Sequence, residues 1–312
     1  MAEHEPQTSS RVIMIRPASF TSNPETAASN SFQAELAVGD AEMVRERAQE
    51  EFDALVAALR TAGVEVAAFD DTAEPYTPDA LFPNNWLSTH SDGTVVLYPM
   101  EAPSRRLERR MDVLDELEAA GFFLRERVDL AATEEEGRFL EGTGSLVLDR
   151  VKRVAYACES SRTEPGLVRE WCERFGYQPE IFQAAIDGQA IYHTNVMLWI
   201  GETLACACLD AITDPDDRER IRRRLTDGER ELIEIRPSQM NAFAGNMLEL
   251  RDQQGQPLLA MSAQARDCLD FGQRQRLEAH ARLVSADIRT IETYAGGSVR
   301  CMLAENFLPK NP

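Results

Sequence analysis

Five positions in the chain combine reactive or hydrogen-bonding side chains with a nearly constant interval. Asn85, Glu141, His193, Asn246 and Cys301 follow one another at spacings of 56, 52, 53 and 55 residues. A cysteine, a histidine and a carboxylate are the parts of thiol nucleophilic catalysis. The thiolate attacks, the imidazole moves protons, and the carboxylate orients or charges the imidazole. Each residue alone has an ordinary reading. A single cysteine in an apolar run is usually a small core residue, and Cys206 and Cys208 in "LACACLD" are read that way. Cys-x-Cys by itself is not a zinc site. Glu141, beside "GTGS", has the alternative of a turn residue. Among the histidines, His4 lies in the polar N-terminus, His90 adjoins a hairpin turn and His280 sits on a polar helical stretch, which leaves His193. The runs "ATEEEGR" and "SRRLERR" are read as solvated faces.

The elements that must position these residues recur with the same interval. From residue 82 onward the order strand, turn, strand, amphipathic helix, strand returns. The first unit is "NNWLSTHSDGTVVLYPM", a helix carrying Leu107, Met111, Leu114 and Leu117, then "GFFLRERV". The second is "GTGSLVLDRVKRVAYACE", a helix with Leu167, Trp171 and Phe175, then "YQPEIFQA". The third is "HTNVMLWIGETLACACLDAI", a helix opening at Asp214-Pro215, then "ELIEIRP". The fourth is "GNMLELRDQQGQPLLAMSA", a helical stretch through Leu283, then "ADIRTIE". The helices show i, i+3/i+4, i+7 apolar spacing, and "SDG" and "DQQGQ" are turn chemistries.

A fifth unit starts at "GSVRCMLAEN" and runs out of chain; its missing parts stand at the other end, as "RVIMIRP", a helix with Val44, Ala48, Phe52, Leu55 and Leu59, and "GVEVAAFD". A ring closed by joining the two ends would bring equivalent positions of all units to one axis, as repeats of this length do in propellers. An open α/β sheet is the alternative. The ring makes residues 11–312 one α/β domain behind a flexible tail of residues 1–10.

Composition narrows the function. The 312 residues carry 53 acidic against 33 basic side chains, a formal charge of −20, which repels phosphate backbones and anionic membranes. No apolar stretch approaches the roughly 20 residues of a membrane span. The N-terminus "MAEHEPQTSS" lacks the basic start and apolar core of a signal peptide. Six scattered cysteines fit a reducing cytoplasm.

With these motifs placed, the chain resembles the guanidino-group-modifying superfamily of arginine deiminases, dimethylarginine hydrolases and amidinotransferases. "GGSVRCMLAE" is similar to its C-terminal nucleophile motif, "YHTN" to its His-x-Asp motif, and "EGTGS" to its Glu-Gly-Gly/Thr segment. The resemblance covers nearly the whole chain after residue 10. It implies a five-bladed ββαβ propeller (the pentein fold), pseudo-fivefold, with Cys301 as nucleophile, His193 as acid/base and Glu141 as its partner. It implies no metal and no cofactor.

Two departures bear on substrate. Arginine-directed members carry aspartates at the end of "F-x-x-Asp" and two places after the histidine; here these positions are Asn85 and Asn195. A guanidinium offers only donors and suits carboxylates, whereas a neutral ureido group presents an acceptor beside its donors, which an amide can match. The resemblance is therefore closest to the citrulline-utilisation branch, with citrulline hydrolysed to ornithine, carbon dioxide and ammonia. Arginine deiminase or dihydrolase and amidinotransferase are the alternatives. Asn84, Asn85, Asn195, Asn246 and Arg300 are the expected substrate contacts. A ribosome anti-association factor uses the same architecture without catalysis, but the retained Cys, His and Glu and the acidic charge argue against that role. The expected partner is a small amino-acid substrate, not nucleic acid or membrane; a homo-oligomer is left open.

Overall fold

Alternation of short apolar strands with amphipathic helices folds into five three-stranded sheets of one design. The computed structural model describes residues 5–27, 29–30, 32–35, 40–228 and 230–310. In four sheets a hairpin of two antiparallel strands is followed by a helix and a third strand parallel to the second. These are Leu87–Thr89, Thr94–Leu97 and Glu126–Asp129; Val147–Asp149, Val154–Cys158 and Gln178–Phe182; Leu198–Ile200, Leu204–Ala207 and Glu231–Glu234; and Leu248–Arg251, Pro257–Ser262 and Arg282–Ala286. The fifth sheet draws on both chain ends. Ala304–Glu305 pairs antiparallel with Arg11–Arg16 (Ile13 opposite Ala304), and Glu65–Asp70 pairs parallel on its other side.

The middle strands are buried on both faces, as the continuous apolar runs Val-Val-Leu, Val-Ala-Tyr-Ala-Cys and Leu-Ala-Cys-Ala require. Helices cover the outside. In Ala41–Thr61 the stripe Val44, Ala48, Phe52, Leu55 and Leu59 is buried. Helix Pro215–Thr226 begins as its sequence dictates: the Asp214 carboxylate accepts from the backbone N–H of Asp216 and Asp217 at 2.8 and 3.0 Å, with Pro215 in the first turn. Trp171, from helix Pro165–Phe175, ties two sheets together through its indole N–H, which donates to the Tyr98 hydroxyl at 3.1 Å.

Three expectations are corrected. Leu107 does not belong to the buried stripe of its helix; it is 52% exposed and precedes helix Met111–Ala119. The stretch "ADIRTIE" is not the outer strand of the last unit. That strand is Arg282–Ala286, containing Leu283, and Arg289–Ala295 is a helix whose Thr290 and Ile291 N–H groups both donate to the Glu51 carboxylate at 3.0 Å. A long-range cap of this kind leaves no local trace in the sequence.

The third correction concerns the tail. Residues 1–4 lie outside the described residues, but Glu5, Gln7, Thr8 and Ser9 are buried. Glu5 accepts from Arg150 at 2.9 Å and from the Tyr177 hydroxyl at 3.1 Å, and Gln7 donates to Leu148 O at 2.9 Å. Burial works against the Glu5 charge, yet Arg150 and His90 hold its carboxyl well below the usual range. Polar composition suggested a solvated segment; specific partners from distant strands order it instead.

Candidate active site

Short helical turns, rather than the strands themselves, carry the candidate residues. Asn85 ends the turn Pro83–Asn85, Glu141 and His193 immediately precede the turns Gly142–Ser145 and Thr194–Val196, and Cys301 lies inside Val299–Met302. The five residues lie before the expected strand starts, at unequal distances: Asn85 and Asn246 close to Leu87 and Leu248, Cys301 a little further from Ala304, and Glu141 and His193 a full turn ahead of Val147 and Leu198. Such a turn closes its own backbone bonds, as Cys301 N–H to Ser298 O at 3.0 Å and Val196 N–H to His193 O at 3.2 Å show. Polar side chains can thus be aimed inward from a buried backbone that needs no partner strand.

Two amides grip Cys301, which is 3% exposed. Asn195 Nδ2 donates to its sulfur at 3.5 Å and Asn246 Nδ2 at 3.3 Å. Asn246 Nδ2 also reaches Asn195 O at 2.8 Å, which fixes the pair. Both donors stand where negative charge on sulfur would be met. The expected substrate role of Asn195 and Asn246 is thereby revised: they face the thiol, and neither lines the pocket beside it.

His193 and Glu141 form a buried pair, Nε2 to Oε2 at 2.8 Å. The second Glu141 oxygen accepts from Glu101 N–H at 3.1 Å, and Arg105 and Arg162 Nη1 lie at 3.5 and 3.6 Å from the first. Burial opposes the Glu141 charge, but Arg162, the His193 hydrogen bond and Arg105 outweigh it and hold the carboxyl well below the usual range. His193 is pushed down to about 4, chiefly by burial, with the Glu141 bond opposing and both arginines assisting. At neutral pH the imidazole is therefore uncharged, with its Nε2–H donated to Glu141 and its Nδ1 lone pair free. Gly144 makes room for the ring: a Cβ there would stand 2.8 Å from His193 Nδ1 and 2.4 Å from Asn85 Nδ2.

Of the expected substrate contacts, Asn85 lines the pocket together with His193 and Cys301. Its amide is already engaged, accepting from Arg105 Nη1 at 3.0 Å and donating to Asn84 Oδ1 at 3.1 Å. Asn84 is buried behind it. Arg300 is not at the site. On a helical turn consecutive side chains diverge by about 100°, and Arg300 swings away to donate to Leu303 O at 2.9 Å and to Glu305 at 3.4 Å.

Sequence reasoning missed Arg105, Arg162, Asp79 and Tyr192, which also line the pocket. Arg105 belongs to "SRRLERR", read as solvated, yet it is 2% exposed and holds Glu108 through Nε and Nη2 at 2.9 and 3.0 Å. The available signal was the Arg-x-x-Glu spacing just after Pro103, which lets Glu108 fold back from the turn that follows helix Pro103–Arg106 onto Arg105. Asp79 accepts from Asn23 Nδ2 at 2.8 Å with one oxygen, while Oδ1 has no partner among the described residues. Burial raises its carboxyl against the pull of Arg105. The free space between these groups is about 10 Å³, room for about one water. An amino acid enters only if the walls part.

The comparisons fit this geometry. Residues 16–308 match the profile of the family described as N,N dimethylarginine dimethylhydrolase, eukaryotic. No curated protein sequence matches the chain. Among solved structures, ArgZ, an arginine dihydrolase from the ornithine-ammonia cycle in cyanobacteria, superposes with a TM-score of 0.74 at 18% identity. The match covers 97% of this chain and 41% of ArgZ, so the chain spans about two fifths of that relative's length. The N-terminal domain of ArgZ, as a substrate-bound cysteine-to-serine mutant, gives 0.73 at 17% identity over 96% of this chain and 99% of the domain. DDAH from Pseudomonas aeruginosa, complexed with citrulline, gives 0.66 at 16% over 96% and 100%. The chain belongs to the family described as N,N dimethylarginine dimethylhydrolase, eukaryotic, and shares the fold of these arginine dihydrolase and DDAH structures.

Proposed function

We propose that the protein is a thiol-dependent hydrolase of free arginine that proceeds through bound citrulline to ornithine, an arginine dihydrolase. The observation that carries this reading is the enclosure of one small pocket by the Cys301 thiol, the His193–Glu141 pair, two arginines and the unpartnered Asp79 oxygen. The guanidinium N–H groups of the substrate are donors, and Asp79 Oδ1 is the acceptor awaiting one. Arg162 offers positive charge for the substrate carboxylate. His193 Nδ1 takes the thiol proton as the Cys301 sulfur adds to the guanidinium carbon, and the same proton then passes to the amino group that leaves as ammonia. Water, deprotonated by His193, then displaces the sulfur and yields citrulline. A second addition to the ureido carbon and a second hydrolysis release ammonia, carbon dioxide and ornithine.

Asn85, which lines the pocket, supports the second round. An aspartate in its place would meet the neutral citrulline carbonyl acceptor against acceptor, an unmatched buried contact worth about 1–3 kcal/mol. Citrulline as the sole starting substrate, the expectation from sequence, becomes the second step of this scheme; the arginine dihydrolase structures favour the longer route. The family match favours a further reading, dimethylarginine in place of arginine. In the same proposal the five sheets stand as blades of a closed ring, with residues 11–310 as one catalytic domain and the mixed sheet Ala304–Glu305, Arg11–Arg16 and Glu65–Asp70 as its closure.

Incubation of the purified protein with arginine, citrulline and dimethylarginine separately tests the substrate. The proposal expects ornithine from the first two, with two ammonia per ornithine from arginine and one from citrulline. Arginine that stops at citrulline would mark a deiminase, and turnover of dimethylarginine alone would favour the further reading.

A further inference from the structure

A second cavity, of about 510 Å³, opens beside helix Arg289–Ala295 and is separate from the pocket at Cys301. Its walls are apolar and aromatic with a few amides. Phe32 and Phe243 face each other with ring centroids 5.4 Å apart, flanked by Ile191 and Met240, and Asn241 and Gln264 add neutral polar edges. Among the described residues the ionisable members of its lining are acids, Asp187 and Glu292.

Glu292 is the unusual member. It is 3% exposed, and its Oε1 accepts from the Ser298 hydroxyl at 2.6 Å. Its Oε2 has no hydrogen-bond partner among the described residues. Burial pushes the carboxyl up to about 7, against the pull of the Ser262 and Ser298 hydroxyls, of which only Ser298 is within hydrogen-bond distance. A buried acceptor without a donor is destabilising. The free oxygen belongs to a carboxyl already held in place on its other side by Ser298.

We propose that this cavity is a second binding site, for a small primary ammonium compound with an aliphatic body, whose charge is met by the Glu292 carboxylate. An ammonium group carries only donors and completes the empty acceptor. The aromatic pair adds attraction for a cation and a surface for the aliphatic part. Two acids and no basic side chain among the described lining residues disfavour anionic ligands.

Calorimetric titration of the whole protein with n-butylammonium, and with 1-butanol as its neutral counterpart, tests the site. Saturable binding of the amine and none of the alcohol is expected. Glu292→Gln should weaken the amine by about tenfold or more, the size of a lost hydrogen bond to a charge. Ala34→Trp, at an exposed position on the cavity rim, should weaken it as strongly while leaving Glu292 in place. If Glu292→Gln does not fold, Ala34→Trp decides. Saturating arginine, added to the non-turning Cys301→Ser protein, should leave amine binding unchanged. Equal binding of the alcohol, undiminished binding in either folded variant, displacement by arginine, or no saturable binding would each overturn the proposal.

Discussion

Replacing Glu141 by glutamine keeps the side chain's shape and removes its charge from a buried position shared with His193 and two arginines. The carboxylate lies 2.8 Å from His193 Nε2, 3.5 Å from Arg105 Nη1 and 3.6 Å from Arg162 Nη1. With an effective dielectric of about 20, each guanidinium contributes about 5 kcal/mol of gross attraction at such a distance. Most of this offsets the burial of the three charges, so the net cost of breaking the cluster is about 3–5 kcal/mol of stability. The catalytic consequence is larger in kind. When His193 takes up a proton during turnover, the imidazolium faces two guanidiniums, and only Glu141 offsets them. Without it the proton affinity of the ring, already at about 4, falls further, and the ring loses the acceptor that fixes its tautomer. A lost acid/base contribution lowers kcat by about 10²–10⁴. Steady-state kinetics from pH 5 to 9, with unfolding of each variant measured in parallel, provides the assay. Because Glu141 acts through His193, the double variant Glu141→Gln/His193→Ala should be no slower than His193→Ala alone. A folded Glu141→Gln protein turning over within a few-fold of wild type would refute the reasoning.

Gly144→Ala should cost activity through space alone: the new methyl would overlap His193 Nδ1 and Asn85 Nδ2, and a displaced ring predicts a loss of about 10² in kcat, checked by kinetics on protein of unchanged circular dichroism. Stability should also fall on mild acidification. His193 stays neutral in the native state to about 4 but binds a proton near 6.5 once unfolded, so its contribution is complete above 6.5 and is lost as pH drops from 6.5 to 4. The amount is about 3 kcal/mol; denaturant unfolding at pH 7 and 4.5 should show a smaller difference for His193→Ala than for wild type.

The sequence made the repeat readable because its period falls near chemistry: Glu141, His193 and Cys301 are reactive types at nearly constant spacing, and each lies in or next to the short turn that precedes its unit's first strand. Strand and helix assignments followed apolar periodicity and held where burial is one-sided, as in Ala41–Thr61. They failed where a distant side chain decides, as Glu51 does for Arg289–Ala295. Pocket residues were legible only in part. Arg105 sits in a charge run whose composition signals solvent, and its burial depends on Glu108, Asn85 and Glu141 closing around it. Asn195 was placed correctly next to the chemistry but on the wrong partner, since its position relative to Cys301 is set by packing between two units 106 residues apart. Arg300 shows the opposite failure: adjacency in sequence to Cys301 carried no adjacency in the pocket.

The central claim is that Cys301 forms a covalent bond to the substrate's guanidinium carbon. Rapid acid quenching during arginine turnover, followed by mass spectrometry of the digested protein, tests it directly. The account predicts an adduct confined to the peptide containing Cys301, absent from Cys301→Ser, which should also lack measurable turnover while remaining folded. Turnover that persists in Cys301→Ser, or an adduct on any of the other five cysteines, would contradict it.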